Sequence, residues 1–220
     1  MHSAISFSDD SLDPAVRGFL HSPANPKGDA LILLHGAGGN CTAPLLIALS
    51  EAFAANGYSV LRCDLPFRQE RNSGPPFPGN AERDRAGLRN AVAATRKSVM
   101  GRIFLGGHSY GGRQATILCA SEPELVSGLL LLSYPLHPPR RPEQFRTQHL
   151  PNLRTPSVFV HGTRDPFGSA EEMTNALQLI PAKTELMTVE GAGHDLGFKG
   201  KAKAKELPAS VVARFQRMFG

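Results

Sequence analysis

Six short apolar blocks recur along the chain, and each is followed by a stretch that reads as loop or helix. "ALILLH" (30–35), "YSVLRCD" (58–64), "RIFLGG" (102–107), "SGLLLLS" (127–133), "PSVFVHG" (156–162) and "TELMTVEG" (184–191) are too short for helices and are rich in branched residues. The runs at 30–35 and 102–107 predict strands buried on both faces, and the other four blocks also read as strands. Between them, 43–55, 81–97, 110–121, 169–179 and 207–218 read as helices, the first stopped by Asn56-Gly57 and the third ended before Pro123. Residues 4–8 and 16–21 are weaker strand candidates, suited to antiparallel edges. The Pro/Gly-rich segment 65–80 reads as loop. Strands alternating with helices imply βαβ units and an α/β fold. The sheet is mostly parallel and twisted, with about eight strands and helices on both faces. In such sheets ligands bind beyond the C-terminal ends of the strands.

Composition narrows the class. The chain has 220 residues, 41% hydrophobic and 20% charged, which suits one globular domain over residues 1–220. Cys41, Cys63 and Cys119 are scattered, with no C-x-x-C spacing. They read as small core residues in a reducing compartment. The N-terminal "MHSAISFSDDSLD" lacks the basic-then-apolar order of a secretory signal, and "GLLLL" is far too short to cross a bilayer. A cytoplasmic protein is expected. No His/Cys cluster has ligand spacing, so neither a metal nor an organic cofactor is expected. The net charge of +5 hints at anionic partners, but no nucleic-acid reader motif accompanies it.

The candidate chemistry lies where the strands end. Gly107-His108-Ser109-Tyr110-Gly111 fits G-x-S-x-G, set between a buried strand and a helix. That turn exposes a serine oxygen, and small neighbours let the backbones pass closely. Ser109 could equally serve as an N-cap. A phosphate-loop reading fails, because "GGHSYGGR" lacks the required Lys-Ser/Thr. A nucleophilic serine needs a base, and the base needs an orienting acid. Asp165, in "FVHGTRDPFGS", and His194, in "TVEGAGHDLGF", stand just past the last two strands in the order serine, acid, histidine. Asp165-Pro166 also fits a helix N-cap followed by proline, and His194 an ordinary loop histidine. Asp195 adjoins His194 and is poorly placed to orient its ring. "HGAGGN" follows the first strong strand and departs from the dinucleotide fingerprint at Cys41. It offers amide donors for an oxyanion, with Ala37 and Tyr110 as candidates and Gly38 as a substitute for Ala37.

These residues resemble the α/β-hydrolase superfamily over about 31–219. Within it, "GGHSYGGR", "LLSYPLHPPRRPEQFRTQHL" and "VFVHGTRDPFGS" are similar to a small lidless group that includes testis-expressed hydrolase-like proteins and a subunit of the non-specific-lethal chromatin complex. Dienelactone hydrolases look similar in compactness but use cysteine as nucleophile. The resemblance implies a Ser109-Asp165-His194 triad acting on small-molecule esters, thioesters or amides through an acyl-enzyme. Because the closer group includes complex subunits, it also implies an alternative, a catalytically silent binding subunit. The short, proline-stiffened segment 134–150 occupies the usual place of a lid, so an open cleft is expected. Tyr134, Leu136 and Phe67 are candidates to line it. Arg68, Arg71, Arg140, Arg141 and the lysine-rich 199–205 are candidates for a basic mouth that prefers anionic esters.

Overall fold

The structure, a computed structural model, describes residues 4–198 and 206–220. Eight strands form one sheet. They are β1 (Ile5–Asp9), β2 (Val16–His21), β3 (Ala30–Leu34), β4 (Ser59–Cys63), β5 (Ile103–His108), β6 (Gly128–Leu132), β7 (Ser157–Gly162) and β8 (Thr184–Val189). Their order is β1-β2-β4-β3-β5-β6-β7-β8. The β1–β2 and β2–β4 pairs are antiparallel, and every other pair is parallel. The expected sheet and its two antiparallel edge strands are present.

The central strands alternate between two cores, as a period of two requires. Ile32, Leu34, Ile103, Leu105, Leu129, Leu131 and Phe159 face one side. Leu31, Leu33, Phe104, Leu130, Leu132, Val158 and Val160 face the other. Helices α3 (Asn80–Arg96), α4 (Tyr110–Ser121) and α5 (Ala170–Leu177) cover the first side. Helices α1 (Pro44–Ala55) and α6 (Leu207–Phe219) cover the second, where Phe53, Tyr58, Phe104 and Phe215 pack edge to face. Burial on both faces explains why these strands read as unbroken apolar runs. Helix α1 ends at Asn56, and Gly57 then adopts φ +91°, where a side chain would be strained.

The 65–80 segment differs from its reading as loop. It opens with the short helix α2 (Pro66–Glu70), begun by proline and held by Phe67 in the core. After β6 the chain runs through 134–149 without regular structure and ends in a 3-10 turn, Leu150–Asn152. Among the described residues, no substantial lid covers the sheet. None of the described helices is long and apolar enough to cross a membrane.

Position of the site follows from this order. Strand β3 has β4 on one side and β5 on the other, and the helix after β3 covers the opposite face from the helix after β5. The connections diverge there and leave a crevice at the C-terminal edge.

Candidate active site

The turn between β5 and α4 is compressed. A Cβ on Gly107 would lie 2.7 Å from the Gly112 nitrogen, and one on Gly111 would lie 2.6 Å from the His35 carbonyl oxygen. Only glycine allows the strand, the turn and the start of the helix to cross this closely. Ser109 takes φ 51° and ψ −113°, a left-handed conformation rare outside glycine. It occupies the N-cap position of α4, yet its side chain makes no capping bond.

That hydroxyl faces His194 instead. Ser109 Oγ lies 2.8 Å from His194 Nε2. His194 Nδ1 lies 2.8 Å and 3.0 Å from the two carboxylate oxygens of Asp165. A carboxylate facing Nδ1 assigns the proton to that nitrogen, so Nε2 accepts from the serine. The Asp165 side chain is fully buried, while that of His194 is 23% exposed toward the cleft. Asp165 also accepts the Phe167 amide at 2.9 Å. It caps no helix: α5 starts at Ala170 behind a Ser169/Glu172 capping box. Hydrogen bonding thus joins Ser109, His194 and Asp165 across the ends of β5, β7 and β8.

Two rings hold His194 in place. Phe167 packs on it at 4.2 Å between centroids with the planes 31° apart, and His108 lies at 5.0 Å on a tilted approach. His108 Nε2 donates to the His194 carbonyl at 2.7 Å. Burial pushes the His108 pKa down to about 4, so its ring is neutral and that bond persists at neutral pH. The sequence reading missed both rings. Each adjoins a candidate residue, His108 beside Ser109 and Phe167 two beyond Asp165.

The loop after β3 is fixed by side chains beneath it. His35 is buried and held neutral by desolvation; its Nδ1 donates to the Gly36 carbonyl at 2.8 Å, and its Nε2 accepts the Leu65 amide at 3.1 Å. Arg68 donates to the carbonyls of Gly39, Ala37, Arg71 and Gly74 at 2.8–3.0 Å. With these carbonyls turned toward Arg68, the Ala37 amide donates to no described residue. The Tyr110 amide, at the first position of α4, has no acceptor one turn back. Tyr110 itself is tethered through its hydroxyl to the buried Asp84 at 2.7 Å.

A cleft of about 970 Å³ opens over these groups, within the range of small-molecule sites. Its lining includes Ala37, Gly38, Ser109, Tyr110 and His194, with an apolar wall of Leu45, Leu46, Pro75, Pro76, Phe167 and Phe198. Three expected lining residues, and one residue of the expected basic mouth, are elsewhere. Tyr134, Leu136 and Phe67 are 1%, 0% and 2% exposed and pack in the core, because each of these apolar bodies gains more from burial than from facing water. Arg68, 6% exposed, spends its guanidinium on loop carbonyls. The expected basic mouth is also placed differently. Arg71 lies over the Phe77 ring at 4.0 Å, and Arg140 and Arg141 are exposed and outside the cleft. Residues 199–205 lie outside the described residues. Among the described residues, the cations lining the cleft are Arg113 and Arg146. Among the described residues, no three His, Cys, Asp or Glu side chains converge to hold a metal.

Comparison with known proteins fits this geometry. Residues 27–216 match the family described as alpha/beta hydrolase domain. A Haemophilus influenzae protein provisionally named an esterase/lipase is 32% identical over 102 residues, covering 46% of this chain and 33% of that protein. The chain thus spans well under two thirds of the length of the curated relatives it matches. Dienelactone hydrolase of Anabaena variabilis superposes with a TM-score of 0.76 at 18% identity, covering 98% of both chains. A Xanthomonas campestris protein described as a serine hydrolase without a lid superposes at 0.75 and 15% identity, covering 99% of this chain and 95% of that one. At these identities the superpositions establish the fold.

Proposed function

The chain belongs to the alpha/beta hydrolase family, and on that premise we propose that it is a serine hydrolase acting on esters of small molecules. The observation that carries this reading is the continuous hydrogen-bonded path from Ser109 Oγ through His194 to Asp165, with each contact at 2.8 Å. His194 Nε2 takes the serine proton as Oγ attacks the substrate carbonyl. The carbonyl oxygen becomes an oxyanion, received by the Ala37 and Tyr110 amides, with Gly38 beside them. Collapse breaks the ester bond, the alcohol leaves with the proton from His194, and an acyl-enzyme remains. Water, deprotonated by the same nitrogen, attacks the acyl carbon and releases the acid. Asp165 keeps Nδ1 protonated and stabilises the imidazolium formed at each step.

Support also comes from the names of the relatives, an esterase/lipase and dienelactone hydrolases, whose reactions break ester bonds. The alternative of a silent binding subunit is less favoured. Backbone strain such as that at Ser109 costs about 1–3 kcal/mol and clusters at functional sites, and here it aims the hydroxyl at His194 rather than at the helix it begins. The test is labelling by a fluorophosphonate probe together with turnover of nitrophenyl butyrate. Wild type is expected to be labelled and active, and folded Ser109→Ala neither. Unlabelled, inactive but folded wild-type protein, or labelling that survives in Ser109→Ala, would overturn the proposal.

A further inference from the structure

Two cations line the cleft without a role in the mechanism above. Arg113 stands on α4 four residues beyond Ser109, its amide bonded to the Ser109 carbonyl at 2.9 Å. Four residues of helix rise about 6 Å, so its guanidinium belongs one turn away from the nucleophile. Arg146 reaches the same cleft from the irregular segment after β6. Its amide donates to the Leu136 carbonyl at 2.7 Å, and its carbonyl accepts the Tyr134 hydroxyl at 3.3 Å.

Neither guanidinium has a hydrogen-bond or ion-pair partner among the described residues, and Arg113 Nε is buried without one. Arg17, Arg83, Arg89, Arg102, Arg214 and Arg217 by contrast meet carboxylates, and Arg140, Arg141, Arg154 and Arg164, which share the lack of a partner among the described residues, are exposed on the surface. Burial, and then the charge of Arg113, push Arg146 below the usual arginine range. His149 is neutral, since burial and Arg113 push its pKa down to about 4, and so it neither adds to the positive charge nor balances it. Asp195, the one carboxylate among the described lining residues, sits on the His194 loop. Two partly desolvated like charges brought into one cleft are unfavourable unless an anion joins them.

We infer that Arg113 and Arg146 form an anion subsite, which selects esters carrying a carboxylate a few bonds from the scissile carbonyl. The inference names the substrate class of the proposed hydrolase and therefore rests on that reading. Guanidinium forks match the two oxygens of a carboxylate, and such charge-assisted bonds are stronger than neutral ones. The apolar wall opposite, with Leu45, Phe167 and Phe198, takes the uncharged part of the ester.

The test uses two matched ester pairs. Mono-nitrophenyl glutarate against nitrophenyl valerate places the charge on the acyl side. The butyryl ester of hydroxybenzoate against phenyl butyrate places it on the alcohol side. Wild type is expected to prefer the anionic member of one pair in kcat/KM, and the ratio is expected to fall about 10–100-fold in Arg113→Met and in Arg146→Met. Arg113→Lys retains part of it, and Arg141→Met, which removes an exposed cation outside the cleft, leaves the ratio at the wild-type value. Circular dichroism and melting establish that each variant folds. Separately, glutarate binding to Ser109→Ala protein is measured by calorimetry; it is expected to weaken with salt and with loss of either arginine. Equal rates within both pairs, a preference that survives both methionine variants, or no glutarate binding overturns the subsite. The two readings fail separately. Neutral esters hydrolysed without carboxylate preference remove the subsite alone. Glutarate bound through the arginines by a protein that cleaves no ester removes the hydrolase reading alone.

Discussion

Replacing Arg68 by methionine deletes four hydrogen bonds and the guanidinium's place over the Phe67 ring. The lost acceptors are the Gly39, Ala37, Arg71 and Gly74 carbonyls, at 2.8, 3.0, 3.0 and 2.9 Å. At about 1.5–3 kcal/mol for a bond to a charged group, the gross loss is at least about 6 kcal/mol. These carbonyls adjoin an open cleft, so water replaces part of that, and the expected net destabilisation is about 2–4 kcal/mol. Two of the four acceptors belong to the loop that offers the Ala37 and Gly38 amides. Freed peptide planes rotate, and on the proposed mechanism the donors lose their aim at the oxyanion. Removing one such donor outright costs about 10²–10³ in rate, so misaiming is expected to lower kcat about 10–100-fold with a smaller change in KM. Urea unfolding measures the first quantity, and steady-state turnover of a neutral ester the second. A variant with wild-type stability and wild-type kcat would refute the reasoning. A rise in KM confined to anionic esters would instead make Arg68 a substrate contact.

Two further outcomes are expected. In Gly111→Ala the new Cβ meets the His35 carbonyl oxygen at 2.6 Å and Leu34 Cβ at 2.8 Å; backbone must shift, costing about 1–3 kcal/mol, and a wild-type urea midpoint would disprove this account of the turn. Acidification is expected to destabilise the fold between about pH 6.5 and 4, because burial holds His21, His108 and His149 at about 4. In that window the unfolded chain takes up protons that these three rings refuse when folded, so stability present above the ordinary histidine range is lost as pH falls. Asp84, whose pKa burial raises, offsets part of the loss at the acid end. Melting temperatures measured from pH 7 to pH 4 check the sign, and a flat profile would count against neutral buried histidines.

Legibility differed with the range of the interactions. The helix boundaries lie within a few residues of their sequence reading because period, proline and glycine act locally. The meeting of Ser109, Asp165 and His194 was legible for a related reason. Parallel strands all end at one edge, so residue type and order at strand ends already bring them near one another. The α2 helix was not findable in a Pro/Gly-rich segment, since Phe67 and Arg68 hold it through contacts with the core and with the loop after β3. His108 and Phe167 were adjacent to candidate residues, but their packing on His194 depends on how three loops meet.

By itself, the sequence determined the layered α/β fold, the glycine-lined turn that strains Ser109, and the strand ends on which Asp165 and His194 stand. These follow from alternation, chain order and backbone sterics. Only the tertiary structure decided which side chains face the cleft. Tyr134, Leu136 and Phe67 are apolar enough for either place, and packing drew them inside. Arg68 and Arg113 are the same residue type. One meets four carbonyls and becomes part of the scaffold, while the other meets none among the described residues and faces the cleft. A guanidinium's role depends on which acceptors the fold brings within about 3 Å of it, and residues far apart in the chain supply them.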